Sequence, residues 1–302
     1  MKDTWHAIAP INYRDPHNVL KTPIRLAEGV VLDKVPKWLR SKYFTQELSG
    51  PGRLHFARCR YILKVGYSAD DLGSRDPKWS GSEPRSVQDA NHELLNLANL
   101  AIWLAQPCDF GFDVVFHVQR LGSHKSLRMF QGVRDLEAHM KYERTYLTAA
   151  HFKLARRIHR VLITLPRNSS LWVATYSLWY ALLEGVWTTR YPLLWFGLES
   201  LFGPRDGREV TYRIAHRLSR FLASSKEDRL LLFRRCRELY DWRSKVVHGT
   251  VLSKLKGDAS IELMLDAEMY LRGAISKALL SPKIRREFLE NRDAYLDSLT
   301  FA

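Results

Sequence analysis

The pattern of apolar and polar residues changes about halfway along the chain, and this change predicts two domains. In the first half, residues 24–32 and 61–67 concentrate β-branched, aromatic and leucine side chains, which predict strands. Residues 87–106 carry leucine and alanine at helical spacing, and residues 112–118 alternate in the manner of a half-buried strand. These elements indicate an α+β domain over residues 1–147.

From residue 148 onward, apolar residues recur every three or four positions, which predicts helices without strands. In one segment Val210, Ile214 and Phe221 form an apolar stripe, and arginines occupy another side. The predicted helices cover residues 148–165, 169–188, 192–202, 208–223, 226–247 and 259–280. We therefore expect an all-α, up-and-down helical bundle over residues 148–302 and a chain that is mainly α overall.

Composition narrows the class of protein. The 302 residues are 46% hydrophobic and 26% charged, which is typical of folded domains rather than disordered chains. Cys59, Cys108 and Cys236 are odd in number and lack C-x-x-C spacing, which argues against disulfides and against a zinc site. No secretory leader opens the chain, and the most apolar stretch, residues 171–183, is too short to cross a membrane. We expect a cytoplasmic protein with no metal ion, cofactor or membrane anchor.

The formal net charge of +15 favours polyanionic partners, whether RNA, DNA or acidic lipid. Basic residues recur at helical spacing in three segments, one of which contains Arg213, Arg217 and Arg220. Such stripes suit contacts with backbone phosphates. A single stripe is more often a solvated helix face, but three of them favour nucleic acid. We predict that these three arginines and Lys245 contact RNA.

Arg243 and His248 lie five residues apart where a predicted helix ends. An arginine can stabilise charge on phosphate oxygens, and a histidine can transfer protons near neutral pH. Gly249 follows, and a glycine there commonly takes the left-handed conformation that closes a helix, which would put His248 in the last turn. The carbonyl end of a helix favours a protonated imidazole. The ordinary alternative is that both side chains interact with the helix end and have no catalytic role.

The spacing alone is not specific, because three other arginine and histidine pairs have the same or similar spacing: Arg134/His139, Arg85/His92 and Arg144/His151. The context of Arg243 and His248 distinguishes them, since an amphipathic helix precedes the pair and a glycine follows it. Positions five apart on a helix diverge by about 140°. Either the helix end is distorted to bring the two side chains together, or two chains each contribute to one shared cleft.

The segment Leu239–Gly249, together with Leu194–Phe202 upstream, resembles the Apea-like branch of the HEPN superfamily, whose signature is an arginine, four to six residues and a histidine. The resemblance covers roughly residues 150–285. It implies a helical bundle that dimerises with its motif helices facing a shared groove. It also implies a ribonuclease that needs no metal and acts in antiphage defence by abortive infection.

The resemblance implies that Arg243 and His248 are the catalytic residues. Glu199 would position them as a supporting residue, and a carboxylate in so aromatic a segment should pair with Arg243, Arg213 or Arg217. Ser244 occupies the position after the arginine, where many HEPN nucleases carry another polar residue. Asp241 could orient Arg243, although a helix-surface carboxylate is the simpler interpretation.

We therefore expect a homodimeric, metal-independent endoribonuclease that produces 2′,3′-cyclic phosphate and 5′-hydroxyl ends. Two alternatives from other classes remain. The first is a HEPN module that binds RNA, a nucleotide or a partner protein without catalysis. The second is a helical interaction protein whose charge serves solubility. The N-terminal domain is expected to act as a sensor or a restraint.

Overall fold

A computed structural model of the chain describes residues 4–11, 13, 20–40, 56, 59–68, 87–108, 110–112, 114–121, 124–130, 146–249 and 258–301. The chain divides into two compact units, Met1–Thr164 and Leu165–Ala302. The first unit combines a sheet with helices, and the second is helical in its described part. The predicted combination of an α+β N-terminal part and a helical C-terminal part is confirmed.

Within the described residues, the sheet of the first unit has six antiparallel strands in the order β2-β3-β4-β1-β5-β6. Their bounds are β1 Thr4–Ile11, β2 Ile24–Arg25, β3 Val31–Lys34, β4 Tyr61–Ser68, β5 Val115–Leu121 and β6 His124–Phe130. The segment predicted as one strand over residues 24–32 forms the β2–β3 hairpin instead. Its turn contains Glu28 and Gly29 with positive φ angles of 50° and 74°, which an extended strand excludes.

The central strand β1 was not predicted, because it lacks a simple alternation of apolar and polar residues. Trp5 and Ala7 face one core cluster, and Ile8 faces another on the opposite side of the sheet. The pairing of β1 with β5 extends from Thr4 to Ile8, so Pro10 lies beyond it and costs no hydrogen bond there.

On one face of this sheet, two helices of the described part of the chain contribute to the core, α1 Val87–Ala105 and α2 Ala149–Leu162. The other face packs against a 3-10 helix, Lys37–Arg40, through Leu39, and against Phe56. Residues 115–118 of strand β5 are therefore buried on both faces of the sheet, and the predicted half-buried strand over residues 112–118 is wrong in this respect. Its His117 is buried, and Tyr67 Oη lies 2.8 Å from His117 Nδ1.

Helix α2 was predicted to open the helical domain at residue 148, but it belongs to the first unit. Phe152 and Ala155 complete the core between the sheet and α1. His159 is buried, and its Nδ1 accepts a hydrogen bond of 3.2 Å from the Ala27 backbone N–H. The boundary therefore lies one helix later than the apolar periodicity indicated, since a helix covering a sheet has the same pattern as a helix in a bundle.

The second unit contains seven helices in its described residues: α3 Ser170–Leu183, α4 Trp187–Phe202, α5 Val210–Leu222, α6 Lys226–Val247, α7 Asp258–Leu280, α8 Pro282–Glu290 and α9 Arg292–Phe301. Helix α6 has the predicted bounds. Helix α4 begins five residues before the predicted start at Pro192, which lies inside the helix. The last two helices were not predicted.

A buried ion pair fixes α4 against α7. Arg190 Nη2 lies 2.5 Å from Glu268 Oε2, and both side chains are 1% exposed. The next residue, Tyr191, donates a hydrogen bond of 2.6 Å from its hydroxyl to the Leu239 carbonyl of α6. Further along α4, a methyl group on Gly197 would approach Leu271 of α7 to 2.7 Å, so these two helices pack closely. Helix α4 is thus attached to both α6 and α7.

The three cysteines are free thiols and all are buried. Burial raises the pKa of the Cys59 thiol to about 11 and that of the Cys236 thiol to about 12.

In the part of the chain that the structure describes, no helix is both long and apolar enough to cross a membrane.

Acidification should destabilise the first unit because of His159. Burial lowers the pKa of this imidazole to about 4, against about 6.5 in an unfolded chain. The unfolded state therefore binds a proton first, so stability is complete above about pH 6.5 and is lost as the pH falls toward 4, by at most about 3 kcal/mol. Hydrogen exchange of α2 peptides between pH 7 and pH 4 should show faster opening, and His159→Gln should reduce this dependence. An unchanged dependence in His159→Gln would contradict the assignment.

Removing one partner of the Arg190–Glu268 pair should greatly destabilise the protein. Glu268→Gln leaves the Arg190 guanidinium buried without its carboxylate, and we expect a loss of about 3–5 kcal/mol in the free energy of unfolding. The double variant Arg190→Met/Glu268→Leu should recover much of it, because no charge is then buried. Asp206→Asn is the control: it breaks the exposed pair with Arg213 and should cost less than about 1 kcal/mol. Urea unfolding measures all four proteins, and equal losses in Glu268→Gln and Asp206→Asn would contradict this role.

Candidate active site

Helix α6 carries the predicted catalytic pair and ends as its sequence indicates. Ser225 caps its first turn by accepting a hydrogen bond of 3.0 Å from the Asp228 N–H. The last helical residue is Val247, and His248 is the C-terminal cap, with its N–H donating to the Ser244 carbonyl at 3.0 Å. Gly249 has a φ of +66°, which confirms the predicted left-handed conformation after the helix.

Arg243 is held by Glu199 of α4. Its Nη2 lies 3.0 Å from Glu199 Oε1, and the two side chains are 28% and 23% exposed. Glu199 therefore pairs with one of the three arginines named from the sequence. The same Nη2 donates a hydrogen bond of 3.3 Å to Glu199 Oε2, while the buried Arg243 Nε has no hydrogen-bond partner among the described residues. The guanidinium is thus fixed on one side by the carboxylate and retains hydrogen-bonding capacity.

Tyr240 completes the surroundings of this pair. Its ring centroid lies 5.6 Å from the Arg243 guanidinium carbon and 5.0 Å from the Trp195 ring, which it meets edge to face. Burial and the neighbouring Glu199 carboxylate raise the pKa of Tyr240 to about 12, so the phenol is neutral at pH 7. The Tyr240 phenol therefore adds no negative charge beside the ion pair between Glu199 and Arg243.

Arg243, Glu199 and Tyr240 line an open cavity of about 700 Å³. Ser169 and Ser170, at the start of α3, and Arg292 of α9 line it as well. Arg292 donates hydrogen bonds to the carbonyls of Leu201 and Gly203 at the end of α4, at 3.1 and 2.7 Å. Sequence reasoning did not find this arginine, since no local pattern indicates an interaction across 91 residues.

His248 does not line this cavity. Its side chain is exposed, and among the described residues no group forms a hydrogen bond with its imidazole. The helix is continuous through Val247, and His248, with φ −86° and ψ 2°, is the first residue outside it. In one chain, therefore, Arg243 faces α4 and His248 faces away from the core, as the divergence of about 140° requires.

The supporting residues differ in what they contact. Ser244 is half-buried and supplies the carbonyl that accepts the His248 N–H. Asp241 is exposed, in agreement with the simpler interpretation as a helix-surface carboxylate, and the carboxylate that holds Arg243 is Glu199. Lys245 is exposed, and its Nζ lies 4.3 Å from the Trp242 ring centroid.

The predicted RNA-binding arginines of α5 do not share one exposed face. Arg217 is 5% exposed and donates to the Phe202 carbonyl at 2.9 Å and to Asp297 at 2.8 Å, so its prediction as a phosphate contact is wrong. It follows the buried Ile214 by three positions and precedes the buried Phe221 by four, which turns it toward the core. Arg213 lies 3.2 Å from Asp206 and Arg220 is half-buried, and both are on the outer side of α5.

The competing arginine and histidine pairs contribute no described site. Arg134, His139, Arg85 and Arg144 lie outside the described residues. His151 is part of the capping box of α2, where its Nδ1 accepts a hydrogen bond of 3.2 Å from the Thr148 N–H. This histidine therefore has a structural role at a helix start.

Across the described ranges, no three or more histidine, cysteine, aspartate or glutamate side chains converge in a way that could hold a metal ion. Comparisons of the chain with protein-family models, with curated proteins and with solved structures find no match.

Proposed function

We propose that the protein is a metal-independent endoribonuclease of the HEPN type, with Arg243 and His248 as its catalytic residues. One observation carries the proposal: a single helix presents an arginine fixed by a carboxylate and, at its end, an exposed histidine without a side-chain partner among the described residues. These are the two groups that transesterification of RNA requires, one for charge and one for protons.

The reaction uses the 2′-hydroxyl of the RNA as nucleophile. Its oxygen attacks the adjacent phosphorus, the bond from phosphorus to the 5′-oxygen breaks, and a 2′,3′-cyclic phosphate and a 5′-hydroxyl result. The His248 imidazole either accepts the proton of the 2′-hydroxyl or, when protonated, donates one to the leaving 5′-oxygen. Arg243 donates hydrogen bonds to the phosphorane oxygens, which its planar guanidinium matches better than an ammonium group does.

Glu199 and Tyr240 are positioning residues in this mechanism. The carboxylate holds one side of the guanidinium, and the phenol, neutral at pH 7, packs beside it without adding a negative charge. Preorganised charge of this kind stabilises a transition state more than a mobile arginine does, because no reorientation is needed during the reaction.

The directions of the two catalytic side chains support a homodimer. A regular helix cannot bring Arg243 and His248 of one chain onto the same phosphate, and the helix is regular through Val247. A two-fold arrangement of α6 helices resolves this, since Arg243 of one copy then meets His248 of the other.

The same geometry favours a second candidate, a module that binds RNA or a nucleotide without cleaving it. Its supporting observation is that the cavity beside Arg243 lacks His248 in a single chain. Such a module would bind RNA equally well when His248 is replaced.

The cellular setting is proposed from the HEPN resemblance and the cysteines. Three buried free thiols agree with a reducing cytoplasm, and antiphage defence by abortive infection is the setting of Apea-like proteins that this chain resembles. The first unit would then act as the sensor or restraint of the nuclease.

RNA cleavage should persist in EDTA and should leave 2′,3′-cyclic phosphate ends. His248→Ala should lower the rate by about 100-fold or more, the usual contribution of a general acid or base, with an unchanged melting temperature because the side chain is exposed. Arg243→Lys should lower it by a similar factor, since lysine keeps the charge near Glu199 but loses the bidentate donor. End-labelled RNA and analysis of the terminal groups measure both.

The matched controls are Arg134→Ala and His139→Ala, which replace the pair of identical spacing and should retain activity. Activity that disappears in EDTA and returns with magnesium or manganese would overturn the chemistry. If His248→Ala still cleaves RNA, His248 is not a catalytic residue.

Two inactive variants should restore activity when mixed. Arg243→Ala and His248→Ala chains form a heterodimer with one intact composite site, so an equal mixture should recover about a quarter of the wild-type activity after random exchange. Light scattering should give about twice 35.2 kDa for the wild type. A mixture that stays inactive although heterodimers form would contradict the shared cleft.

A further inference from the structure

The outer side of α5 and α6 carries a cluster of aromatic rings that the proposed chemistry does not use. Tyr212 is 51% exposed, and its ring stacks on His216 with centroids 5.8 Å apart and an interplanar angle of 12°. The edge of Phe233 from α6 meets Tyr212 at 5.6 Å, and the Arg237 guanidinium lies 5.9 Å from the Phe233 centroid. One face of an aromatic stack is therefore open to solvent.

Basic side chains surround this stack, and one of them, Arg213, also forms an ion pair of 3.2 Å with Asp206. Arg213 and Arg220 lie on the same side of α5 as Tyr212 and His216, by helical spacing. Arg237 is exposed, and no carboxylate in the described part of the chain pairs with it. Burial and the nearby Arg220 and Arg217 lower the pKa of His216, so its ring supports Tyr212 as a neutral aromatic group at pH 7.

We propose that this set of residues, Tyr212, Arg213, His216, Arg220, Phe233 and Arg237, binds single-stranded RNA, with a base stacked on Tyr212 and backbone phosphates on the arginines. We call it the Tyr212 surface. The inference rests on the proposed ribonuclease function and names its substrate class. An aromatic face flanked by arginines is the combination by which proteins hold single strands without sequence preference.

The surface is aligned with His248 along α6. Arg237 and His248 are 11 positions apart, close to three full turns, so they lie on the same face about 16 Å from each other. A strand bound at Tyr212 can therefore follow α6 to the proposed catalytic histidine. Asp241 lies on this face between them and repels phosphates, so Asp241→Asn should tighten RNA binding.

The class of RNA follows from the stacking geometry. In a duplex the base faces are already covered by neighbouring bases, and Tyr212 cannot reach them. Unpaired loops and single strands expose their bases, so the Tyr212 surface selects them over duplex RNA.

The test uses the full chain and a 2′-O-methyl RNA of about 12 nucleotides, which lacks the attacking hydroxyl and so separates binding from cleavage. Tyr212→Ala should weaken its binding by about 5- to 100-fold, the loss expected for one stacked base, and Tyr212→Trp should retain it. Affinity for a duplex of the same length should not change. Tyr180→Ala is the matched control, because Tyr180 is similarly exposed, at 54%, on α3.

A second experiment compares Arg237→Ala with Arg286→Ala, which removes another exposed charge, from α8. Loss of a phosphate contact at Arg237 should reduce the salt dependence of binding by about 0.7 in the slope of log affinity against log salt. The Arg286 variant should keep the wild-type slope.

Each outcome decides between the possibilities. If the wild type binds and cleaves RNA but Tyr212→Ala behaves like Tyr180→Ala, the Tyr212 surface is not the RNA site and the nuclease function stands. A wild-type protein that neither binds nor cleaves RNA overturns both proposals. If Tyr212→Ala halves the mass in light scattering and leaves RNA affinity unchanged, the surface is an interface between copies of the chain and the inference fails.

Discussion

The ion pair between Arg190 and Glu268 is the constraint on which the second unit depends. Two charges removed from water are stabilised only by each other and by their hydrogen bonds, so their helices tolerate little displacement. Since α4 carries both Arg190 and Glu199, the pair also determines where the carboxylate that holds Arg243 lies. Tyr191 then connects α4 to α6 directly. The contacts of Arg190 and Tyr191 that hold α4 in place therefore also determine the position of the proposed catalytic Arg243.

Much of the fold was predictable where local sequence decides the structure. Helix α6 has a serine cap, acidic residues in its first turn and a glycine after its last, and its bounds match the prediction. Helix α4 shows the opposite case. Pro192 indicated a helix start, yet the tertiary contacts of Arg190 and Tyr191 stabilise five helical residues before it. Strand β1 was missed because burial on both faces removes the alternation that identifies a strand.

The candidate site was predictable in its residues but not in their relations. The sequence located Arg243, His248 and Glu199, and helical geometry gave the divergence of the first two. It left open whether Glu199 pairs with Arg243, Arg213 or Arg217, since that choice depends on how α4 packs against its neighbouring helices. Arg217 shows the same limit, because this arginine has the spacing of a basic stripe but is buried, and it donates hydrogen bonds to Asp297 and to the Phe202 carbonyl.

The three buried thiols give the chain chemical properties beyond its fold. With the pKa of Cys59 near 11 and that of Cys236 near 12, very little of either is thiolate at neutral pH, and burial also keeps reagents away. Oxidants and alkylating agents therefore react with these sulfurs after local opening. Cys59 lies in the first unit and Cys236 in the second. The rates at which alkylating agents label these two thiols therefore measure the local opening of each unit separately, without any introduced probe.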